Sequence, residues 1–467
     1  MSNSNSLSAR ARIQALVDEN SFVEIGALVT KRNTDFNLNE KSVPDDGVVT
    51  GYAIINDKPV YIYSQDVDEL NGSIGEMHAK KIVNIYNLAI KTGTPVVGLL
   101  DSAGLRLQEA TDALAAFGEI YEVMTKARGI VPQITAVLGN GGGGVAVLAS
   151  LSDFTFMEKN NGRLFVNAPN TIENNYKEKL DTASGDFNAK NGMADFVCEG
   201  EEQLFESLRE LMLILPLNNK DEAISAQSMD DLNRETVDFM AEIKDPALAL
   251  EDIGDNNFFL EVKKEYAKEM VTGFIMLDGM TIGAVANRTA LVDETGAEVE
   301  TFEPRLTTAG CYKAANFVKV CNAFNIPVLT LTNVEGYSAT LSEEVSIGGA
   351  VAALTSVFAS AKVAKVNLIT QNAYGSAYLT MNSKHIGADM VFALPDANVG
   401  IMDADMAAKI MYPDASKDVI AEKSKEFDAK TDVYAAAARG YVDSIIQPAS
   451  VRKQLLYAFE MLYTKSI

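Results

Sequence analysis

Two stretches of the chain, 49–66 (VTGYAIINDKPVYIYSQD) and 271–288 (VTGFIMLDGMTIGAVANR), alternate apolar and polar positions. Each is interrupted at its middle by turn formers, Asn56-Asp57 or Asp278-Gly279. A period of two broken by such a pair predicts a β-hairpin. Beyond each hairpin the pattern predicts a helix, over 75–92 and again over 309–324. A continuous apolar run follows in both places, TGTPVVGLLDSAG and FNIPVLTLTNVEG, and predicts a buried strand. Another helix and another apolar strand come next, IVPQITAVLGN or VAKVNLITQN. Each of those strands runs directly into a loop of small residues, GGGGVAVLAS or AYGSAYLTMNS. Matching elements recurring in one order predict an α/β architecture of two similarly built halves, related by internal duplication.

The region 217–257 is acidic and polar with weak periodicity, so the expected domains are 1–220 and 256–467, joined by an acidic linker over 221–255. The opening segment LSARARIQALVDENSFVEIG reads as a short helix and turn packed on the first domain. The chain has 467 residues, enough for about three domains or two large ones. Its 47% hydrophobic and 22% charged residues are those of a globular protein. Asp and Glu outnumber Lys and Arg by 64 to 40, a net charge of −24, which argues against a nucleic-acid surface. Cys198, Cys311 and Cys321 form no CxxC pair and suggest reduced thiols rather than a zinc ribbon or disulfide framework. The segment MSNSNSLSARARIQ has no apolar run, and the small-apolar region 348–370 is broken by Lys362 and Lys365. The expectation is a cytoplasmic chain without membrane insertion.

The glycines 141–144 could form a flexible linker, but they lie between a buried strand and a small-residue helix. Backbone amides can there approach an anion or oxyanion at a helix N-terminus. A dinucleotide site is not indicated, because the GxGxxG spacing is not met. The second loop, Tyr374-Gly375-Ser376-Ala377-Tyr378, occupies the same place in the second half. Two such loops suit chemistry in which two carbonyl oxygens become anionic together. The chain has two histidines. His78, at a helix start beside Lys80 and Lys81, reads as a surface, capping or functional residue, and His385 as a partly buried structural one. Ser102 and Ser376 lie outside GxSxG and have no evident activating partner, so neither is expected to be a nucleophile. Acidic runs such as 199–202 read as solvated faces.

The segments 49–66, 72–82 (GSIGEMHAKKI), 95–110 (PVVGLLDSAGLRLQEA), 129–157, 321–337 (CNAFNIPVLTLTNVEGY), 373–389 (AYGSAYLTMNSKHIGAD) and 436–448 together resemble one family. It comprises the carboxyltransferase (β) subunits of biotin-dependent acyl-CoA carboxylases, of the propionyl-CoA and acetyl-CoA type, and their decarboxylase relatives. The resemblance implies two tandem crotonase-like ββα-superhelix domains. It also implies an active site between the N-terminal domain of one subunit and the C-terminal domain of its neighbour, in a homo-oligomer of hexamer type. The amides of Gly143 and Gly144 would then hold the acyl-CoA thioester oxygen as an enolate forms, with Gly142, Ala103, Gly104, Arg106 and Leu379 on the substrate side. The amides of Ser376 and Ala377 would hold the ureido oxygen of biotin, with Tyr374, Gly375 and Gly336 beside it. The biotin nitrogen would take the α-proton, so no side-chain base and no metal is implied. Without a Met-Lys-Met site, biotin is expected on a separate carrier protein, loaded by a biotin carboxylase subunit. Lys80, Lys81 and Arg106 would offset the global acidity for the CoA phosphates. The alternatives are a decarboxylase subunit running the chemistry in reverse and a non-catalytic CoA-binding or assembly subunit. The chain departs from the family pattern at Ser376 (usually Gly), in the VPGF segment, here VEGY with Glu335, in DSGGAR, here DSAGLR, and in an acidic insertion over 293–304. Leu379 suggests a short acyl group.

Overall fold

The computed structural model describes residues 7–33, 45–223, 228 and 230–465; residues 1–6 of the leader reading and 224–227 and 229 of the expected linker lie outside them. Contacts divide the chain into two units, Met1–Glu222 and Ala223–Ile467.

In the first unit, β1 (Val23–Glu24) lies against β2 (Val48–Ile55), which turns into β3 (Lys58–Gln65). Asn56 and Asp57 both take positive φ, 52° and 61°. This is the turn whose twist matches the strands it joins. The sheet then continues in parallel through β4 (Val96–Ser102), β5 (Gln133–Gly142) and β6 (Phe154–Glu158). The short β7 (Arg163–Phe165) pairs with the end of β5, and β8 (Phe196–Cys198) closes the row. Parallel neighbours require crossovers, and the helices expected from the sequence supply them. After α1 (Ala9–Leu16), α2 (Glu76–Thr92) links β3 to β4 and α3 (Ala110–Ala127) links β4 to β5. Gly93, at φ 67°, ends α2 by returning its amide to the Ala89 carbonyl. All seven residues of β4 are buried, as its unbroken apolar run foretold.

The second unit repeats this plan in its main sheet and adds four short strands. Its strands are β9 (Phe259–Glu261), β10 (Met270–Leu277), β11 (Met280–Asn287), a two-stranded ribbon of β12 (Ala290–Val292) and β13 (Glu298–Thr301), and β14 (Arg305–Leu306). There follow β15 (Val328–Val334), β16 (Gly336–Tyr337), β17 (Lys365–Tyr374), β18 (Met390–Ala393), β19 (Asn398–Gly400) and β20 (Ser444–Ile445). The sheet order β9-β10-β11-β15-β17-β18-β20, with β19 on β17, matches β1-β2-β3-β4-β5-β6-β8, with β7 on β5. The acidic insertion is the exposed β12–β13 ribbon.

The stretch expected as a linker is built into this unit. Two helices within it, Phe239–Glu242 and Pro246–Ile253, place Phe239, Ile243, Leu250 and Ile253 in the second core. Its carboxylates are paired from afar: Asp245 with Arg288 and Asp255 with Arg452, each at 2.7 Å and buried. The acidity of the expected linker is thus partly internal. The three cysteines are free and buried; burial pushes the Cys311 thiol up to about 12. Among the described residues no helix is long and apolar enough to cross a membrane.

Candidate active site

Both sheets break register at the same point, between Leu100 and Ser102 of β4 and between Thr332 and Val334 of β15. The residues at the break, Asp101 and Asn333, form matching clamps. Their amides donate to side chains of the preceding strand, Asp101 to Gln65 Oε1 at 3.2 Å and Asn333 to Asn287 Oδ1 at 3.1 Å. Their own side chains accept from the next strand, Asp101 Oδ1 from the Asn140 amide at 3.1 Å and Asn333 Oδ1 from the Asn372 amide at 3.2 Å. Each clamp bends the C-terminal ends of the parallel strands, where α/β sheets bind ligands. Sequence reasoning passed over these residues, although a polar side chain ending an apolar strand at one place in both repeats was a usable signal.

In the first unit β5 delivers Gly142 and Gly143 to the start of α4 (Gly144–Leu151). A Cβ on Gly142 would lie 2.7 Å from the Phe165 ring, and one on Gly144 would meet Phe117 at 2.7 Å and Tyr121 Oη at 2.8 Å. Tyr121 donates to the Gly144 carbonyl at 2.9 Å. Gly104 lies against this loop, a Cβ on it falling 3.6 Å from the Gly142 carbonyl, and Ala103 is exposed beside it. Gly143, expected as a donor to the thioester oxygen, is not one. The Gly143 amide donates to the Phe165 carbonyl at 2.8 Å, so it is not open to a ligand. The next two amides, Gly144 and Val145, open the helix, where an amide has no intrahelical carbonyl behind it, and no other partner is seen for them among the described residues. Ser102 is no nucleophile, since its hydroxyl donates to the Gly72 carbonyl and accepts from the Gly104 amide.

Gly143 instead sets the direction of the loop, at φ 61° and ψ −123°, with nothing within 4 Å of the place a methyl group would take. Gly143→Ala is therefore expected to strain the backbone without a clash, lowering unfolding stability by about 1–3 kcal/mol. Urea denaturation of the variant measures it, and unchanged stability would show that the loop tolerates a side chain there.

Arg106, expected beside the CoA phosphates, is completely buried. Its guanidinium bonds Asp46 and Glu109 (2.9 Å to the latter), Ser73 Oγ and the carbonyls of Asp46 and Ser73. Its donors are all engaged, and none reaches a substrate. The two carboxylates in turn accept from the first amides of α2, Glu109 from Glu76 at 2.6 Å and Asp46 from His78 at 2.8 Å. Arg106 is thus the counter-charge of a buried helix cap. Lys81 is buried too and donates to the Val48 and Asp45 carbonyls, whereas Lys80 remains exposed in a pair with Glu76. His78 is inside: Nδ1–H meets the Asp46 carbonyl at 3.0 Å and Nε2 accepts from Gln65 at 3.3 Å. Burial, with Arg106 nearby, pushes its pKa well below the ordinary value, and it is a neutral structural residue. His385 is exposed, edge-on between Tyr378 and Tyr441.

In the second unit β17 ends on buried Tyr374, Gly375 takes φ 61°, and the helix Gly375–Thr380 begins. β5 and β17 are both ten residues long, so Gly144 and Val145 correspond to Ser376 and Ala377. The latter pair likewise lies in the first turn of its helix, and no partner is seen for its amides among the described residues. Ser376 is exposed, and its hydroxyl accepts from Tyr337 Oη at 2.9 Å. Glu335 is exposed and accepts from Asn372 Nδ2 at 2.8 Å. Gly336 is half-buried with open space at its Cβ position, and Leu379 is 38% exposed on the helix surface. Among the described residues no group of three or more His, Cys, Asp and Glu is placed to hold a metal ion.

Known proteins share the fold of this chain. Residues 2–467 match the family model of the carboxyl transferase domain. The propionyl-CoA carboxylase beta chain of Roseobacter denitrificans is 36% identical over 487 residues, spanning 99% of this chain and 91% of that one. Methylmalonyl-CoA decarboxylase subunit alpha of Propionigenium modestum is 35% identical over 490 residues, again 99% of this chain and 91% of the relative. The crystal structure of transcarboxylase 12S, a hexamer with methylmalonyl-coenzyme A bound, superposes with a TM-score of 0.91 at 33% identity, covering 99% of this chain and 90% of that one.

Proposed function

Because this chain belongs to the carboxyl transferase domain family, we propose that it moves a carboxyl group between carrier-borne biotin and a short-chain acyl-CoA. Its two halves are crotonase-like units. The observation that supports the reading best is the repetition of one donor pair, Gly144/Val145 and Ser376/Ala377, at the same position of two like sheets. Backbone amides are donors only, so each pair suits an oxygen that gains negative charge.

Gly144 and Val145 hold the thioester oxygen while the electrons of the α-C–H bond shift toward it. They release that charge when the new carbon–carbon bond to carbon dioxide forms. Ser376 and Ala377 present the same geometry to a urea carbonyl, and the uncharged first turn around them fits that group. Biotin, when bound, supplies the carboxyl group and a ring nitrogen that accepts the α-proton. Neither His78, locked in hydrogen bonds, nor Ser102, whose hydroxyl is engaged, is placed to serve as base. The same donors serve carboxylation and decarboxylation, and the direction is set by the partner that loads or unloads biotin. We further propose a cytoplasmic homo-oligomer in which a neighbouring copy completes the site, working with a biotin carrier protein and a biotin carboxylase.

The test is turnover of malonyl-CoA or methylmalonyl-CoA by the purified chain with free biotin or biocytin. The expected result is decarboxylation that depends on added biotin, by an oligomer in light scattering. A folded oligomer without activity on any acyl-CoA, yet binding CoA thioesters in calorimetry, would instead mark an assembly subunit.

A further inference from the structure

We infer that the Tyr337–Ser376 hydroxyl pair is a third hydrogen-bond donor of the second loop, aimed at the carbonyl oxygen of a cyclic urea. This rests on the reading of that loop as the biotin side. Ser376 Oγ accepts from Tyr337 Oη at 2.9 Å and has no other hydrogen bond among the described residues. A serine hydroxyl has one proton and two lone pairs. With a lone pair filled by the phenol, the proton is left to point away from Tyr337, and accepting one bond polarises the hydroxyl as a donor. Neighbouring hydroxyls show the usual alternative: Thr380 donates to the Ala377 carbonyl and Ser383 to the Leu379 carbonyl. Ser376 makes no such return bond, and its side chain is exposed.

Tyr337 is held where it can do this. It lies in β16, paired with β14, and the next amide, Ser338, donates to the Leu306 carbonyl at 2.9 Å. Among the described residues the first unit shows no counterpart of this pair. The equivalent position is Gly144, where a Cβ would run into Phe117 and Tyr121. The tyrosine there takes the loop carbonyl, not a side-chain oxygen. The two loops therefore share their amide pair and differ in this hydroxyl. The difference gives the second loop its own ligand preference, with Ser376 touching the ligand and Tyr337 as a positioning residue acting through it.

The experiment compares Ser376→Ala, Tyr337→Phe, their double variant and Ser376→Thr by ligand-observed NMR titration with biocytin, and by KM for biotin against KM for the acyl-CoA. Ser376→Ala should weaken biocytin binding roughly three- to tenfold, the effect of one hydrogen bond. Tyr337→Phe should weaken it less, the double variant should match Ser376→Ala, and Ser376→Thr should restore binding. The acyl-CoA KM should stay unchanged throughout. If Ser376→Ala binds biocytin like the parent, or the two single effects multiply in the double variant, the hydroxyl pair is not a donor while the carboxyltransferase reading stands. A parent chain that neither binds biocytin nor exchanges carboxyl groups overturns both. Should Tyr337→Phe fail to fold, Ser376→Ala and Ser376→Thr decide the matter.

Discussion

Gly144→Ala is expected to lower kcat for biotin-dependent decarboxylation by roughly 10²–10³-fold, the scale of losing one oxyanion donor. The added methyl group would stand 2.7 Å from Phe117 and 2.8 Å from Tyr121 Oη. Phe117 is a core residue of α3, so the start of α4 yields first. That movement takes the Gly144 and Val145 amides off their common target and strains the Tyr121 bond to the Gly144 carbonyl. Overpacking of this kind costs about 1–3 kcal/mol, which leaves a chain of this size folded. The signature is thus a large loss of kcat with a modest change in the unfolding midpoint. Adding Tyr121→Phe removes one of the two obstructing groups and should return part of the rate. A Gly144→Ala enzyme with parental kcat would show that these amides hold no developing charge.

Arg106→Met should reduce unfolding stability by about 3–5 kcal/mol, the scale for stripping one partner from a buried ion pair. Asp46 and Glu109 are buried, and Arg106 is the cation that meets both. Burial already pushes the Asp46 carboxyl up, with Arg106 pulling it down. Without the guanidinium, both carboxylates must stay charged in the core or take up a proton. Arg106→Lys should also be damaging, because an ammonium cannot supply the five-fold fork that meets Ser73, Asp46 and Glu109. Combining Arg106→Met with Asp46→Asn and Glu109→Gln should recover much of the loss. Chemical denaturation reads all three proteins. The prediction fails if Arg106→Met folds normally and raises only the KM for acyl-CoA, which is what a phosphate-binding arginine would do.

Much of the active-site scaffold was legible because it is written in local patterns. The turns at Asn56-Asp57 and Asp278-Gly279 and the helices after the hairpins follow from neighbouring residues alone. So do the two small-residue loops, since a buried strand meeting a run of small residues constrains its own backbone. Errors arose where a residue's role depends on a distant partner. Gly143 looks like a donor until β7 brings the Phe165 carbonyl to its amide. The stretch around Asp245 and Asp255 looks like a linker until Arg288 and Arg452 close on it. Asp101 and Asn333 look like ordinary strand residues until three strands are side by side.

Local patterns along the chain specify the duplication, the α/β class and the place of both loops, because periodicity and turn chemistry act over a few residues. Which amides remain free, which charges are buried and how Tyr337 holds Ser376 follow from long-range packing alone. The Phe165 carbonyl lies 22 positions from Gly143, Ser376 lies 39 from Tyr337 and Arg452 lies 197 from Asp255, so competition for each donor or charge is settled only when the sheets assemble.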